Sequence, residues 1–323
     1  MKLTARAKLI IVVVLVLLGS VITLATTREA SDFPSGKPGD PVTIAVTPGE
    51  TGAEIALDLA KKGVILKSKT FLSLALSDSR ARGISPGDHT ISTHITSKEA
   101  LAELLDPKRN RGLLRVPEGS TYSDVLKLLK SAGVIGKSTK RPTEGELFPA
   151  TYAFASGTTI DGALSQMRAK YLAQSKNLGL TSGYGKYSSY DVLKVASLIQ
   201  IEADPADFAK AARVIYNRLA IDMPLQLNST VQYAINSRGH ITLTRNQTQT
   251  PSAYNTYLHT GLPPTPISNP GAEAITAALH PASGDWLYFI TVKPHETRFT
   301  KSFKEFDGWV TLYNNNVANG LFK

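Results

Sequence analysis

The spacing of apolar residues changes character three times along this chain. Leu9 to Thr27, "LIIVVVLVLLGSVITLATT", carries no charge at all. About twenty apolar residues suffice to span a bilayer as a helix, so a transmembrane helix is predicted over 9–27. The leader 1–8 holds Lys2, Arg6 and Lys8. A short basic flank of this kind stays cytoplasmic, which puts the bulk of the chain on the extracytoplasmic side of the cell membrane. A cleaved signal peptide ending near Ala25 is the rival reading, but secretory apolar cores run ~7–15 residues and this one is longer. Residues 28–41 contain "SDFPSGKPGDP", whose proline, glycine and serine read as a linker.

Strand-like alternation begins at residue 42. "VTIAVTPGETGAEIALDLAKKGVI" (42–65) starts as a strand and turns at Pro48-Gly49. It continues as a helix with Ile55, Leu57, Leu59 and Ala60 on its apolar side. The same order recurs in "LLRVPEGSTYSDVLKLLKSAGVI" (113–135): strand, turn, threonine cap, amphipathic helix, then Gly-Val-Ile at the exit. Two copies of a small α/β unit are therefore expected. Between them "SPGDHTISTHITSKEALAELLD" (85–106) predicts a turn, a strand over "ISTHIT" and a further helix.

From about Ser188 the texture changes again. Helical spacing covers 191–203, 205–220 and 271–279, interrupted by turn-dense stretches. The proline-dense "GLPPTPISNPG" (261–271) is stiff because each proline fixes φ. It fits a rigid connector or the wall of an open groove. "DWLYFITVKPHETRFTKSF" (285–303) predicts a hairpin turning near Lys293-Pro294.

Composition narrows the chemistry. The 323 residues include no cysteine, which excludes disulfides and thiolate metal sites. The formal charge of +10 favours anionic surroundings such as acidic lipid or a bacterial wall. Basic residues are dispersed, without a recognition helix or aromatic-basic interleaving, so no nucleic-acid partner is expected. His89 and His94 are read as solvent-exposed rather than ligating, and His240, His259, His280 and His295 lack ligand spacing. No Gly-x-Ser-x-Gly elbow occurs. No metal and no cofactor are expected.

One carboxylate stands out. Glu202 follows Val195, Leu198 and Ile199 at helical spacing, so it ends an apolar stripe. "ADPAD" offers Asp204 as cap and Pro205 as the first residue of the next helix, which leaves Glu202 in a last turn. A helix C-terminus repels an anion, and apolar burial disfavours the charged form. Both push the carboxyl toward staying protonated, as a general acid requires. Spacing alone equally allows an exposed glutamate at a frayed helix end.

The residues downstream favour the first reading. Asn217, Gln226, Asn228, Thr230 and Tyr233, then Tyr254, Asn255, Thr256 and Tyr257, are neutral hydrogen-bonding or aromatic groups. Amides and tyrosines without a charge cluster suit a sugar, which offers ring faces to stack and hydroxyls to pair.

At these residues the chain resembles the endolytic murein transglycosylase family, the YceG-like proteins. The likeness runs over nearly the whole chain and is densest in "VASLIQIEA", "VIYNRL", "MPLQ", "STVQYA", "AYNTY", "GLPPTPISNPG" and "AALHPA" with the following "LYF". "ELFPATYAF" (146–154) resembles the segment leading into the family's catalytic domain. The resemblance implies an α+β fold: transmembrane helix, a LysM-like module over 42–110, a second small α/β module and connector over 111–187, and a helix-rich catalytic domain over 188–323. It implies cleavage of peptidoglycan glycan between MurNAc and GlcNAc without water, leaving 1,6-anhydroMurNAc ends and terminating nascent strands. Glu202 takes the catalytic position. Gln226 and Asn228 are candidates for substrate contact or for fixing a loop. Tyr254, Asn255 and Tyr257 either line the groove or buttress it, while Asn217 and Arg218 read as structural. Wall-synthesis enzymes are candidate partners.

The chain departs from the family pattern in places. Gln200 stands where many members carry a second acid, leaving Glu202 alone on its helix, and Asn228 replaces an aspartate. Ala253 replaces a proline. Two other readings stay open here: a non-catalytic wall-binding scaffold, and a hydrolytic muramidase.

Overall fold

A computed structural model describes residues 31–155, 157–237 and 243–322. The helix expected over 9–27 lies outside the described residues, and none of the described helices is long and apolar enough to cross a membrane. The chain is α+β, with ten α-helices and three two-stranded antiparallel sheets among the described residues. It divides into two compact units, one ending at Gly112 and one starting at Leu113.

The first unit runs β1 (Pro41–Val46), α1 (Gly52–Lys61), α2 (Ser68–Ser77), β2 (Gly87–Ser92) and α3 (Ser97–Leu105). β1 pairs antiparallel with β2, Ile44 opposite His89. Thr51 and Glu54 form a capping box that starts α1, each satisfying a backbone N–H of the other's end. Ile55, Ala56 and Leu59 face the core of this unit with Phe71, Ile91 and Leu101. Leu57, expected on that apolar side, is 61% exposed; Ala56 takes the inward place because a helix turns 100° per residue and only one of the two can face in. His89 also departs from expectation. It is fully buried, its Nε2 2.7 Å from the Ser85 carbonyl oxygen, because alternation on β2 points it inward. His94 is exposed, in a left-handed conformation just past the strand.

The second unit runs β3 (Leu113–Val116), α4 (Tyr122–Ser131), β4 (Ala150–Ala153), α5 (Ile160–Asn177), α6 (Ser189–Glu202), α7 (Phe208–Ala220), α8 (Asn228–Ala234), α9 (Ala272–Leu279), β5 (Tyr288–Lys293), β6 (Glu296–Thr300) and α10 (Phe303–Ala318). β3 pairs with β4, Val116 opposite Ala150, and β5 with β6, Tyr288 opposite Thr300. α6 lies at the centre. Ser188 and Asp191 form its capping box, and Val192, Leu193, Val195, Ala196, Leu198 and Ile199 are fully enclosed. Burying each such aliphatic side chain contributes roughly 1.5–3 kcal/mol for the larger ones. Five consecutive buried positions, 195–199, mean that this helix is covered on every side rather than along one stripe.

The cover on the polar-looking side is the proline-dense segment, which packs inside the unit instead of walling a groove. Residues 266–271 are all buried. Ile267 donates its N–H to Ser197 Oγ (3.2 Å), Ser268 Oγ donates to the Ser197 carbonyl (3.1 Å) and Gly271 N–H donates to Gln200 Oε1 (2.9 Å). Gln200 thus anchors a strap. A Cβ on Gly271 would meet Glu118 Oε1 at 2.5 Å, so any larger residue there would require the Glu118 side chain to move.

Candidate active site

α6 ends at Glu202 because Asp204 precedes Pro205 and takes extended backbone. Asp204 makes no capping bond with its side chain; its Oδ2 lies 3.1 Å from His295 Nδ1. The expected side-chain cap is absent, and the next element opens with a 3-10 turn, Pro205–Asp207, before α7 begins.

Glu202 projects into a cavity of about 530 Å3. The carboxyl is sunk among protein atoms, and the residue as a whole keeps a partial opening on the cavity side. Ser229 N–H, in the first turn of α8, donates to Oε1 at 3.1 Å. Oε2 has no protein partner among the described residues. Burial raises the Glu202 pKa, and the Ser229 side chain and backbone oppose that rise only partly. The Ser229 hydroxyl is itself buried without a well-formed hydrogen bond.

The loop before α8 brings the amides to the same cavity. Gln226 sits at φ 50°, a left-handed value rare outside glycine, and is held there by its N–H to the Thr256 carbonyl (3.0 Å). Its side chain is exposed to the cavity. Leu227 N–H donates to Thr256 Oγ1 (3.0 Å), which also shares a hydrogen bond with Thr230 Oγ1 (2.9 Å). This lacing sets Tyr257 over Asn228, where its hydroxyl donates to Asn228 Oδ1 at 2.6 Å. The Asn228 amide nitrogen is then left without a protein partner among the described residues. Burial raises the Tyr257 pKa, the Glu202 charge adds to that, and Arg218 works against it.

Glu202, Gln226, Asn228 and Tyr257 therefore share one cavity, and two other expected residues do not line it. Asn255 is fully buried, its Nδ2 donating to the Thr248 (3.1 Å) and Thr250 (2.8 Å) carbonyls while Oδ1 accepts from Tyr257 N–H (2.9 Å). Tyr254 packs against Tyr233 with the rings tilted by 52° and centroids 5.0 Å apart, and its hydroxyl pairs with Thr265 Oγ1. Asn217 holds the Gly284 and Trp286 carbonyls. The opposite side comes from residues that the sequence reading passed over: Phe289 and Thr291 on β5, Phe306 and Tyr313 on α10, and Phe322 beyond it. Phe306 and Tyr313 are seven apart on one helix face, which is the signal that could have found them. Arg218 lines the cavity as well. Among the described residues no group of three or more His, Asp or Glu could hold a metal ion.

The model of the YceG-like family matches residues 44–311, and the chain belongs to that family. It is 40% identical over 174 residues to a Bacillus subtilis protein named endolytic murein transglycosylase, covering 53% of this chain and 48% of that protein. It is 34% identical over 201 residues to a Streptococcus pneumoniae protein of the same name, covering 59% of this chain and 36% of that one. The chain thus matches about half the length of the first relative or less. A crystal structure of a YceG-like protein from Listeria monocytogenes superposes with a TM-score of 0.52 at 26% identity, over 84% of this chain and 99% of that one.

Proposed function

We propose that this chain is an endolytic murein transglycosylase that cuts peptidoglycan glycan between MurNAc and GlcNAc, with Glu202 as its catalytic residue. The observation that carries this is the acid inventory of the cavity: among the described residues lining it, Glu202 is the one carboxyl. Hydrolytic glycosidases use two, one as acid and one to activate water or form a covalent bond. A single carboxyl suits a reaction in which the substrate provides its own nucleophile.

Protonated Glu202 gives its proton to the glycosidic oxygen as the bond to C1 breaks. The resulting carboxylate takes the proton of the muramyl 6-hydroxyl, whose oxygen bonds to C1. The product is a 1,6-anhydro ring, and the carboxyl returns to its starting state without water entering. Oε1, held by Ser229 N–H, fixes the carboxyl while Oε2 faces the substrate. Gln226 and the Asn228 amide nitrogen pair with sugar hydroxyl or N-acetyl groups, and the Tyr257 and Phe289 rings cover apolar sugar faces. Tyr254 and Asn255 act one layer back, by bracing the Tyr257 loop.

The remaining elements belong to the same proposal. Residues 9–27 anchor the chain in the cell membrane with its bulk extracytoplasmic, and 42–110 form a LysM-like module, a reading supported by the strand–helix–helix–strand order over 41–92. Residues 111–187 form the second small module and 188–323 the catalytic domain, acting on nascent strands.

The purified full chain, incubated with uncrosslinked glycan, should release fragments with anhydro ends by mass spectrometry. Glu202→Gln should lower the rate by about 100- to 10,000-fold, the usual contribution of a general acid. Reducing ends instead of anhydro ends would show a hydrolase, and binding without cleavage a scaffold.

A further inference from the structure

Arg218 is the one cation among the described residues lining the cavity, and the reaction above gives it no part. The residue is only 8% exposed. Its Nε donates to the Leu287 carbonyl (2.6 Å), and Nη1 donates to the carbonyls of Pro224 (3.2 Å) and Leu225 (2.7 Å). The guanidinium carbon lies 5.2 Å from the centre of the Tyr288 ring. Nη2 has no protein partner, and no carboxylate pairs with the group, among the described residues. A guanidinium stays charged in proteins, and burying a charge without a counter-ion costs several kcal/mol. Three carbonyls orient this cation but do not neutralise it. A fixed, largely desolvated cation in the wall of a ligand cavity, with one nitrogen unused, suits an oxygen that arrives with the ligand.

We propose that Arg218 is a specificity residue that binds, through Nη2, the terminal oxygen of the lactyl ether on the muramyl sugar. The assignment rests on the muramyl-glycan reading of the cavity. Sugar hydroxyls and N-acetyl groups are neutral, and the lactyl arm is the one place on such a glycan backbone that can be anionic. Where the stem peptide has been removed the arm ends in a carboxylate; where the peptide is present it offers an amide carbonyl at the same position. Both are oxygen acceptors, and the carboxylate is the stronger because the bond joins opposite charges. Arg218 thus selects muramyl over glucosaminyl residues at its subsite and prefers strands free of peptide.

Binding is measured by calorimetry on the full chain carrying Glu202→Gln, so that the probe survives. The probes are peptide-free muramyl-glucosaminyl oligosaccharides, the same oligosaccharides with stem peptides, and N-acetylglucosamine oligomers of equal length. The expected order of affinity is peptide-free, then peptide-bearing, then glucosamine oligomer, with about 10-fold or more between the first and last and a gap that narrows with salt. Equal affinity for the first and last overturns the assignment. Arg218→Lys in the Glu202-intact chain should raise KM for peptide-free strands while changing kcat little. A uniform loss on all strands, with the ratio between them unchanged, would mean a purely structural arginine. If Arg218→Lys fails to fold, the calorimetric ranking decides alone. Cleavage by the Glu202-intact chain with no ranking sinks Arg218 and leaves the transglycosylase reading standing; ranking without cleavage does the reverse.

Discussion

The chain contains the same strand–turn–helix design twice and uses it differently each time. In the first copy, β1 to α1, the turn at Thr47–Gly49 is exposed, and Gly49 at φ 86° has no atom within 4 Å of where a Cβ would stand. In the second, β3 to α4, Gly119 and Ser120 are buried, and a Cβ on Gly119 would come within 3.0 Å of Ile201 Cδ1. The local parts match: Thr51 with Glu54 and Thr121 with Asp124 make the same capping box. At the helix exits Val64 and Val134 donate back to Leu59 and Leu129 in the same way. What differs is Asn269. Its side chain joins the Ser120 carbonyl (2.8 Å) to the Leu147 N–H (2.8 Å), and its backbone exchanges bonds with Gly119 and Ser120 at 2.9 Å. A local motif becomes part of a larger core only when a distant residue is placed to hold it.

That comparison can be broken by experiment. Asn269→Ala leaves the Leu147 N–H buried without a partner and opens a hole, and should cost the second unit about 2–4 kcal/mol, read as a lowered urea midpoint; an unchanged midpoint would mean the strap does not fasten the second copy. Glu202→Gln should have a smaller effect of the opposite sign. A raised folded-state pKa means that folding favours the protonated carboxyl, so its contribution is whole at acid pH and is lost as pH rises through that pKa. The variant should gain melting temperature over the parent at pH 8 relative to pH 5, and parallel pH profiles would contradict a buried acid. Gly119→Ala should cost more than Gly49→Ala, because both incur the left-handed penalty of about 1–2 kcal/mol and only the first also pushes on α6. Equal losses would mean that the contact with Ile201 is slack. Thr121→Ala and Thr51→Ala should each cost about 1 kcal/mol, the pair of exchanges in which the two copies behave alike.

Those matched caps also explain what could be read without coordinates. Thr51, Thr121 and the glycines at helix exits act within a few residues, so the repeat was legible as letters. The wrapping of α6 was not, because Ser197 and Gln200 look like a solvent face until Ile267, Ser268 and Gly271 take up their hydrogen bonds. The site divides along the same line. Glu202, Gln226, Asn228 and Tyr257 fall in short blocks with a chemical character of their own. Asn255 belongs to such a block too, yet its amide is consumed by Thr248 and Thr250, and side-chain identity does not reveal which partner an amide will choose. Phe289 and Tyr313 escaped notice because an aromatic on a hairpin or a surface helix reads as packing.

The bond from Asn269 to Ser120 spans 149 positions of chain. Contacts that distant form late, since a long loop must close first. A growing chain that has already emerged through α6 and α8 holds Glu202 and Ser229 but lacks the strap that bonds Ser197 and Gln200. The wall of the cavity around Glu202 therefore stays incomplete until β5 and α10 have emerged as well.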